Sequence, residues 1–242
     1  MRKVLLLGSS GNIAPHIIPA LGQYYDLRLA DLKPHPDGLP TQTVDITDYS
    51  QVLEAAQGVD AIANFTVNRP HPVLSFAVST TGAFHVMKAA AELGIKKVLH
   101  TGPELIIPDY RHEFDIGEVP QRPGPGYYRL TKMLGMEICR AYARTYGIQT
   151  ICYQFNGLGP KPERAVQGQD FPPFTITWED LVQACRLALD IEAVPDNYQA
   201  FNLHSYMGQG KYNIDKARRL LGYEPSEPVE RYYRRPFVSN RS

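Results

Sequence analysis

Tyr128 and Lys132 are four residues apart, and a tyrosine and a lysine at this spacing can transfer a proton together. Four residues are about one helical turn, so the two side chains would share one face of a helix. A lysine ammonium stabilises a nearby tyrosinate, which can then accept the proton of a hydroxyl group. Because a second pair, Tyr212 and Lys216, has the same spacing, the motif alone is weak evidence. Position in the fold must decide between the two pairs.

A glycine-containing turn follows the first predicted strand. In LLLGSSGNIA, Gly8, Gly11 and Ala14 lie between an apolar run and a helical pattern. Glycine at such a turn lets the backbone approach a pyrophosphate, and the helix that follows offers free N–H groups and a positive dipole. The context predicts a dinucleotide-binding loop, and a tight turn without a ligand is the alternative.

An aspartate ends the second predicted strand. Asp31 follows Gly8 by a little over 20 residues, where a carboxylate accepts both ribose hydroxyls of the adenosine and repels a 2′-phosphate. The sequence therefore predicts NAD over NADP. Lys33 weakens that preference, and a polar strand end without a ligand is the alternative.

Short apolar runs alternate with helical patterns over the first 150 residues or so. This alternation predicts an α/β fold, a doubly wound parallel sheet of the Rossmann type with a small C-terminal substrate lobe. We expect a cofactor-binding core at 1–156 and the lobe, packed on it, at 157–242. The predicted strands are 3–7, 27–30, 41–44, 61–65, 97–100, 149–155 and 199–203. The predicted helices are 12–21, 49–56, 73–93, 127–146, 179–190 and 214–221.

This layout separates the two Tyr–Lys pairs. Tyr128 and Lys132 lie on the helix after the fifth strand, near the carboxyl edge of the sheet where open α/β folds bind ligands. The pair at 212 and 216 falls in the distal lobe. Tyr127 is five residues from Lys132 and would lie on another side of the helix.

Composition excludes some classes of function. Lys plus Arg and Asp plus Glu both number 25, which argues against a nucleic-acid or anionic-membrane partner. The N-terminal apolar run is too short for a signal peptide or a membrane span. Three scattered cysteines predict buried thiols in a reducing compartment, so we expect a cytoplasmic protein. The histidines show no metal-ligand spacing, and the sequence has no Ser/His/Asp or Cys/His set for nucleophilic catalysis.

Taken in order, several motifs resemble an extended short-chain dehydrogenase/reductase, and the closest type is the NAD-dependent epimerase/dehydratase branch. The resemblance rests on the glycine turn, Asp31, DITD (45–48), GAFHVMKAA (82–90), KKVLHT (96–101), the Tyr128–Lys132 pair and LGYEP (221–225). It implies NAD as cofactor, Tyr128 and Lys132 as the catalytic pair, and Asp45 and Ile46 beside the adenine. The predicted cofactor-binding set is Gly8, Ser10, Gly11, Asn12, Ile13, Asp31, Asp45, Ile46, Asn64, Phe65, Thr66, Tyr128 and Lys132.

The sequence departs from that family at a catalytic position. The fifth strand in the family usually ends in a serine that hydrogen-bonds the reacting oxygen, and this sequence has Pro103 there. Proline has neither a hydroxyl nor an N–H. Thr101, two residues earlier in an extended strand, would point the same way and is the predicted stand-in. Glu104 is a more distant candidate.

The segment after the sixth strand is short, with only residues 157–177 before the next helix. In nucleotide-sugar enzymes a long segment there binds the nucleotide, and the compact layout is more similar to the uronate dehydrogenase type. That similarity implies Arg164 as a ligand of a substrate carboxylate, and a surface arginine without a specific contact is the alternative. Asn68 and Arg69, in the loop after the fourth strand, are further substrate candidates, whereas His71 is more typical of an exposed loop histidine.

The leading hypothesis is an NAD-dependent oxidoreductase acting on a small hydroxylated substrate such as a sugar or sugar acid. One alternative is an epimerase or dehydratase with tightly bound NAD. Another is a non-catalytic NAD-binding regulator that has lost its serine. The resemblance also implies a homodimer through helices 73–93 and 127–146, although packing on the sheet would explain their apolar residues equally well.

Overall fold

The computed structural model describes residues 1–103, 113–118, 125–155, 157–161, 175–205, 210–226 and 229. Its strands are β1 (Lys3–Leu7), β2 (Asp26–Asp31), β3 (Gln42–Thr43), β4 (Ala61–Asn64), β5 (Lys97–Thr101), β6 (Gln149–Gln154), β7 (Gly157–Gly159), β8 (Thr175–Thr177) and β9 (Tyr198–Asn202). Its α-helices are α1 (Ala14–Leu21), α2 (Tyr49–Ala55), α3 (Pro72–Phe76), α4 (Gly82–Glu92), α5 (Tyr127–Tyr146), α6 (Trp178–Asp190) and α7 (Asp215–Leu221).

Within these residues, seven strands form one parallel sheet in the order β3-β2-β1-β4-β5-β6-β9. Strands β4 and β5 are buried along their whole length, and β1 and β6 at every residue after the first, because helices cover both faces of the sheet. The strand order reverses between β1 and β4. From β1 the chain adds β2 and β3 in one direction, and from β4 it adds β5, β6 and β9 in the other. A crevice at the carboxyl ends of the strands is expected at this point.

Each face of the sheet has its own apolar core. On one face, α1, α6 and α7 contribute buried residues such as Ile17, Leu181 and Leu221. On the other, α2, α4 and α5 contribute residues such as Val52 and Met136. The doubly wound Rossmann fold predicted from the alternation of elements is confirmed.

Close packing against a π-helical turn positions α5. Residues Ala77–Thr81 form this turn between α3 and α4, and a Cβ added to Gly135 would lie 2.5 Å from the Ser79 carbonyl oxygen. The Thr131 hydroxyl lies 3.1 Å from the Ser75 hydroxyl, and both side chains are buried. Only a residue without a side chain lets the helices approach this closely. This contact fixes the N-terminal turns of α5, which carry Tyr128 and Lys132.

The predicted elements differ from the observed ones mainly at their ends. Helix α1 begins at Ala14, not at residue 12, because residues 11–13 still belong to the turn. The predicted strand 41–44 is only two residues long. The predicted helix 73–93 is helical from Pro72 to Glu92, but the π-helical turn interrupts it. Helix α5 ends at Gly147, whose φ of 63° is left-handed, as a C-terminal glycine predicts.

Two elements of the C-terminal segment belong to the main sheet and its core. Strand β9 pairs with β6 along five residues, and α6 packs in the same core as α1. The described part of residues 157–242 also forms the small parallel pair β7–β8. A division into a core at 1–156 and a substrate lobe at 157–242 stays a prediction.

The cysteines, Cys139, Cys152 and Cys185, are free and buried. Within the described ranges no group of three or more His, Cys, Asp or Glu side chains could hold a metal ion. No described helix is both long enough and apolar enough to cross a bilayer.

Candidate active site

The glycine turn forms at the carboxyl ends of β1 and β4. Gly8 has φ +83°, and its N–H donates to the Ala30 carbonyl at 2.9 Å. A Cβ at Gly8 would lie 2.9 Å from both the Phe65 carbonyl carbon and the Thr66 nitrogen. Both the left-handed conformation and the lack of space require glycine. The turn leads into α1, whose N-terminus has no side-chain cap among the described contacts.

A cavity of about 710 Å³ opens at this edge of the sheet. Its walls come from the glycine turn, the ends of β2 and β4, and the loop after β4. The lining residues include Gly8, Ser10, Gly11, Asn12, Ile13, Asp31, Lys33, Ile46, Phe65, Thr66, Asn68, Arg69, Leu158 and Trp178. The predicted cofactor loop and two of the predicted substrate residues therefore surround one space.

Asp31 is held at the cavity wall by backbone donors. Its Oδ2 accepts from the Ser10 N–H at 3.0 Å and its Oδ1 from the Lys33 N–H at 3.1 Å. A carboxylate oxygen has two acceptor positions, so each keeps one for a hydroxyl group. Asp31 can thus accept the two hydroxyls of a ribose while it ties the glycine turn to β2.

These observations fit a dinucleotide. The turn from Gly8 to Ile13 and the N-terminus of α1 would hold the pyrophosphate, and Asp31 the adenosine ribose. Ile46 offers an apolar wall for the adenine. Asp45 lies beside that wall, but its Oδ1 accepts from the Thr47 N–H and hydroxyl at 2.9 and 2.7 Å. A contact of Asp45 with the adenine stays a prediction.

Lys132 joins the ends of two strands below the cavity. Its Nζ donates to the Thr66 carbonyl at 3.1 Å, to the Thr101 carbonyl at 3.1 Å and to the Thr101 hydroxyl at 3.2 Å. The side chain is 3% exposed. Burial, and secondarily the positive charge of Arg69, lowers the pKa of Lys132 to about 8. The lysine is therefore charged at neutral pH and easily deprotonated just above it.

Tyr128 contacts the loop after β4. Arg69 Nη2 donates to the Tyr128 phenolic oxygen at 3.4 Å, and the guanidinium carbon lies 4.9 Å from the centre of the tyrosine ring. The neighbouring Tyr127 hydroxyl donates to the Arg69 carbonyl at 2.8 Å. The two tyrosines therefore have different surroundings, because one contacts the arginine side chain and the other its backbone.

The stand-in predicted for the missing serine is buried. Thr101 is 5% exposed, and its hydroxyl donates to the Asn64 carbonyl at 3.3 Å while it accepts from Lys132. Pro103 is also buried. Asn64 supports the loop after β4, since its Oδ1 accepts from the Thr66 N–H and hydroxyl at 3.0 and 2.7 Å. Neither Asn64 nor Thr101 lines the described cavity.

The second Tyr–Lys pair lies elsewhere. Tyr212 precedes α7, so the pair does not share a helix, and Lys216 bonds Glu118 at 2.6 Å. Neither pair supplies a lining residue of the described cavity, but Tyr128 and Lys132 contact the lining residues Arg69 and Thr66. Two predicted substrate residues, Glu104 and Arg164, lie outside the described residues.

Sequence reasoning missed part of the cavity wall. Trp178, the single tryptophan of the sequence, lines the cavity and stacks on His16 of α1 at 4.2 Å between ring centroids. Its place at the start of a helix after a Pro- and Gly-rich segment was the available signal. His100 was also missed; it lies buried beside Lys132, where burial and secondarily the lysine charge lower its pKa to about 3. It is therefore neutral.

Replacing Gly8 with alanine should weaken cofactor binding and stability together. The new Cβ meets backbone atoms at 2.9 Å, so the turn and the end of β4 must move apart. We expect an at least tenfold rise in the NADH dissociation constant and a loss of about 1–3 kcal/mol in unfolding free energy. Fluorescence titration and urea denaturation measure the two effects.

Gly38→Ala is the matched control. Gly38 also has a left-handed φ, +71°, but open space around its Cβ position. It should lose stability through backbone strain and keep its NADH affinity. An unchanged NADH affinity in Gly8→Ala would contradict the pyrophosphate loop assigned to this turn.

Comparison with known proteins shows which family the chain matches. Residues 4–174 match the model of the NAD dependent epimerase/dehydratase family. A uronate dehydrogenase of Pseudomonas syringae pv. tomato is 28% identical over 77% of this chain and 69% of its own. An NAD-dependent glucose-6-phosphate dehydrogenase of Haloferax volcanii is 26% identical over 93% of each chain.

Solved structures share the fold of this chain. The structure of a short-chain dehydrogenase/reductase superfamily protein from Agrobacterium tumefaciens with bound NAD has a TM-score of 0.79, at 19% identity. The alignment covers 96% of this chain and 94% of that one. The resemblance and the NAD cofactor predicted from the motifs are thereby confirmed. The chain belongs to the NAD dependent epimerase/dehydratase family and is an NAD-dependent enzyme.

Proposed function

We propose that the protein oxidises a hydroxyl group of a small sugar or sugar acid, with NAD as the acceptor. The observation that carries the proposal is the contact of Tyr128 with Arg69, because Arg69 lines the cavity and the phenolic oxygen lies 3.4 Å from its guanidinium. The names of the two curated relatives, a uronate and a glucose-6-phosphate dehydrogenase, support this class of substrate.

The residues of the site have distinct roles in this proposal. Bound NAD supplies a hydride acceptor. Tyr128 accepts the proton of the substrate hydroxyl, and the Lys132 charge favours the tyrosinate that does so. Lys132 also holds the ends of β4 and β5 together through its bonds to Thr66 and Thr101. Phe65 and Thr66 line the cavity, and Asn64 holds Thr66 through two hydrogen bonds.

The substrate is expected to be small and polar. Asn68 and Arg69 line the cavity and offer polar contacts to a substrate, and Arg69 also contacts Tyr128. The carboxylate of a sugar acid is assigned to Arg164, because a guanidinium binds a carboxylate through two parallel hydrogen bonds. Arg164 is the second arginine assigned to the substrate, and Glu104 a second polar contact. The short segment between β6 and α6 leaves few residues to bind a nucleotide diphosphate.

We further infer a cytoplasmic homodimer. Apolar side chains on α3, α4 and α5 are exposed, among them Val73, Leu74, Phe76, Phe84 and Leu134, and a second copy could cover them. The three buried free thiols suit a reducing compartment. Analytical ultracentrifugation separates a dimer from a monomer.

The test is a panel of aldoses and uronic acids incubated with the purified protein and NAD. We expect the absorbance of reduced cofactor to grow with at least one member of the panel, in proportion to enzyme. A product that forms from a nucleotide sugar without net reduction, by protein that retains NAD on purification, would instead support an epimerase or dehydratase. Either that result or NAD binding without any turnover would contradict the proposed oxidation.

A further inference from the structure

The active site has no serine at the position where the family carries one. Pro103 has no hydroxyl there, and it is buried. The proton of the Thr101 hydroxyl already points to the Asn64 carbonyl, and its oxygen accepts from Lys132. Within the described part of the chain, a hydrogen bond to the reacting oxygen would therefore come from another donor at the cavity wall.

Arg69 is the donor that the structure places beside the phenol. Its guanidinium lies 3.4 Å from the phenolic oxygen and against the face of the same ring. The side chain is exposed and lines the cavity. Its backbone is fixed by the Tyr127 hydroxyl, which donates to the Arg69 carbonyl at 2.8 Å. The Arg69 backbone is thus held in place, while its guanidinium can reach a ligand in the cavity.

We propose that Arg69 replaces the missing serine: it stabilises the Tyr128 tyrosinate and donates a second hydrogen bond to the reacting oxygen of the substrate. The contact with the substrate rests on the proposed function, whereas the effect on the phenol does not. The proton moves from the substrate hydroxyl to the phenolic oxygen, and the guanidinium keeps its charge throughout.

A guanidinium suits this double task. It has five N–H donors in a planar fork and stays charged at every pH of interest. Lys132 has three protons, and the structure directs them to Thr66 and Thr101. The lysine therefore acts on the phenol through its field, and the arginine through a direct bond.

Two further titratable groups near this pair, among the residues that the structure describes, are neutral. Arg69 comes from the loop after β4 and Lys132 from α5. On β5, the buried His100 is neutral because its pKa is about 3. On α5, a hydrogen bond with Cys152, and secondarily burial, raises the pKa of Cys139, so its thiol is neutral too.

The first experiment measures the phenol itself. Protein labelled with tyrosine carrying ¹³C at Cζ is titrated by NMR, and the Tyr128 signal is assigned by its absence in Tyr128→Phe. In Arg69→Gln we expect the midpoint of the Tyr128 titration at higher pH than in the wild type. Arg144→Gln, which removes an exposed arginine paired with Asp196, should leave the midpoint unchanged. An unchanged midpoint in Arg69→Gln would overturn the proposal.

The second experiment measures catalysis with a substrate found in the panel. Arg69→Gln should lower kcat about 100-fold and move the acid limb of the pH profile to higher pH, with NADH affinity preserved. Added guanidinium ion should restore part of the activity of Arg69→Ala and none of that of Tyr128→Phe. A rise in KM confined to acidic substrates, with kcat and the phenol midpoint unchanged, would instead assign Arg69 to carboxylate binding and overturn the proposal.

The two experiments separate this inference from the proposed function. A phenol midpoint that depends on Arg69, without turnover of any sugar, would contradict the sugar oxidation and leave the arginine–tyrosine coupling standing. If the wild type oxidises a sugar and Arg69→Gln does so at the same rate, the proposed function stands and the role of Arg69 is contradicted.

Discussion

Replacing Tyr128 with phenylalanine will lower kcat about 1,000-fold, because the variant has no group to accept the hydroxyl proton. The ring keeps its place on α5 and its packing against Arg69, since only the phenolic oxygen is lost. NADH affinity should therefore change far less than turnover. Initial rates over a range of substrate concentrations, with NADH binding by fluorescence, measure the two quantities.

Two tyrosines on the same helix provide controls. Tyr146 is half exposed and far along α5, so Tyr146→Phe should keep wild-type turnover. Tyr127→Phe loses one bond to the Arg69 carbonyl and should lose only a small part of kcat. If Tyr127→Phe lost as much turnover as Tyr128→Phe, the assignment of Tyr128 as the proton acceptor would be wrong.

Replacing Lys132 with methionine will lower kcat by about 100-fold to 1,000-fold, the cost of losing one preorganised charged donor. The thioether fills part of the same buried space, but the Thr66 and Thr101 carbonyls lose their shared donor. Both the charge near the phenol and the link between β4 and β5 are lost. Steady-state kinetics and NADH titration should therefore show a fall in kcat accompanied by weaker cofactor binding, which Tyr128→Phe does not show.

The same substitution has a pH-dependent effect on stability. Burial lowers the pKa of Lys132 from 10.5 to about 8, so between these values the unfolded chain keeps a proton that the folded protein has released. Stability of the wild type relative to Lys132→Met should then rise with pH across this window, by about 3 kcal/mol in total. Below pH 8 both states are protonated and the difference is constant. Urea denaturation from pH 7 to 10 measures the difference in unfolding free energy between the two proteins. Lys96→Met, at an exposed lysine, is the control. A difference that does not change with pH would contradict a pKa of about 8 for Lys132 in the folded protein.

The order of strands and helices could be predicted because each element has its own local signal. Apolar runs of strand length, such as Lys3–Leu7 and Ala61–Asn64, alternate with helical patterns that stop at glycine. Once β1, the glycine turn and α1 were recognised, the parallel sheet and the position of its crevice followed from general rules of topology. The same reasoning predicts the cofactor loop and the role of Asp31, since both lie within one βαβ unit.

Contacts between distant segments could not be predicted in this way. The bond between Arg69 and Tyr128 joins residues 59 positions apart, and no local pattern encodes it. The membership of β9 in the main sheet was also missed, because a strand that follows a loose segment resembles one from a separate lobe. The π-helical turn at Ala77–Thr81 depends on the close approach of Gly135, which is again a contact between helices.

The sequence by itself determined the family, because the family motifs are residue types at fixed spacings in a fixed order. It also predicted the cofactor loop from the glycine turn, and Tyr128 over Tyr212 from the place of each pair in the predicted order of elements. Only the tertiary structure decided what surrounds that tyrosine. In the folded chain the Thr101 hydroxyl bonds the Asn64 carbonyl and Lys132, and the Arg69 guanidinium bonds the phenolic oxygen of Tyr128. The physical reason is that hydrogen bonds in the site are made between the ends of β4, β5 and α5, which only packing brings together.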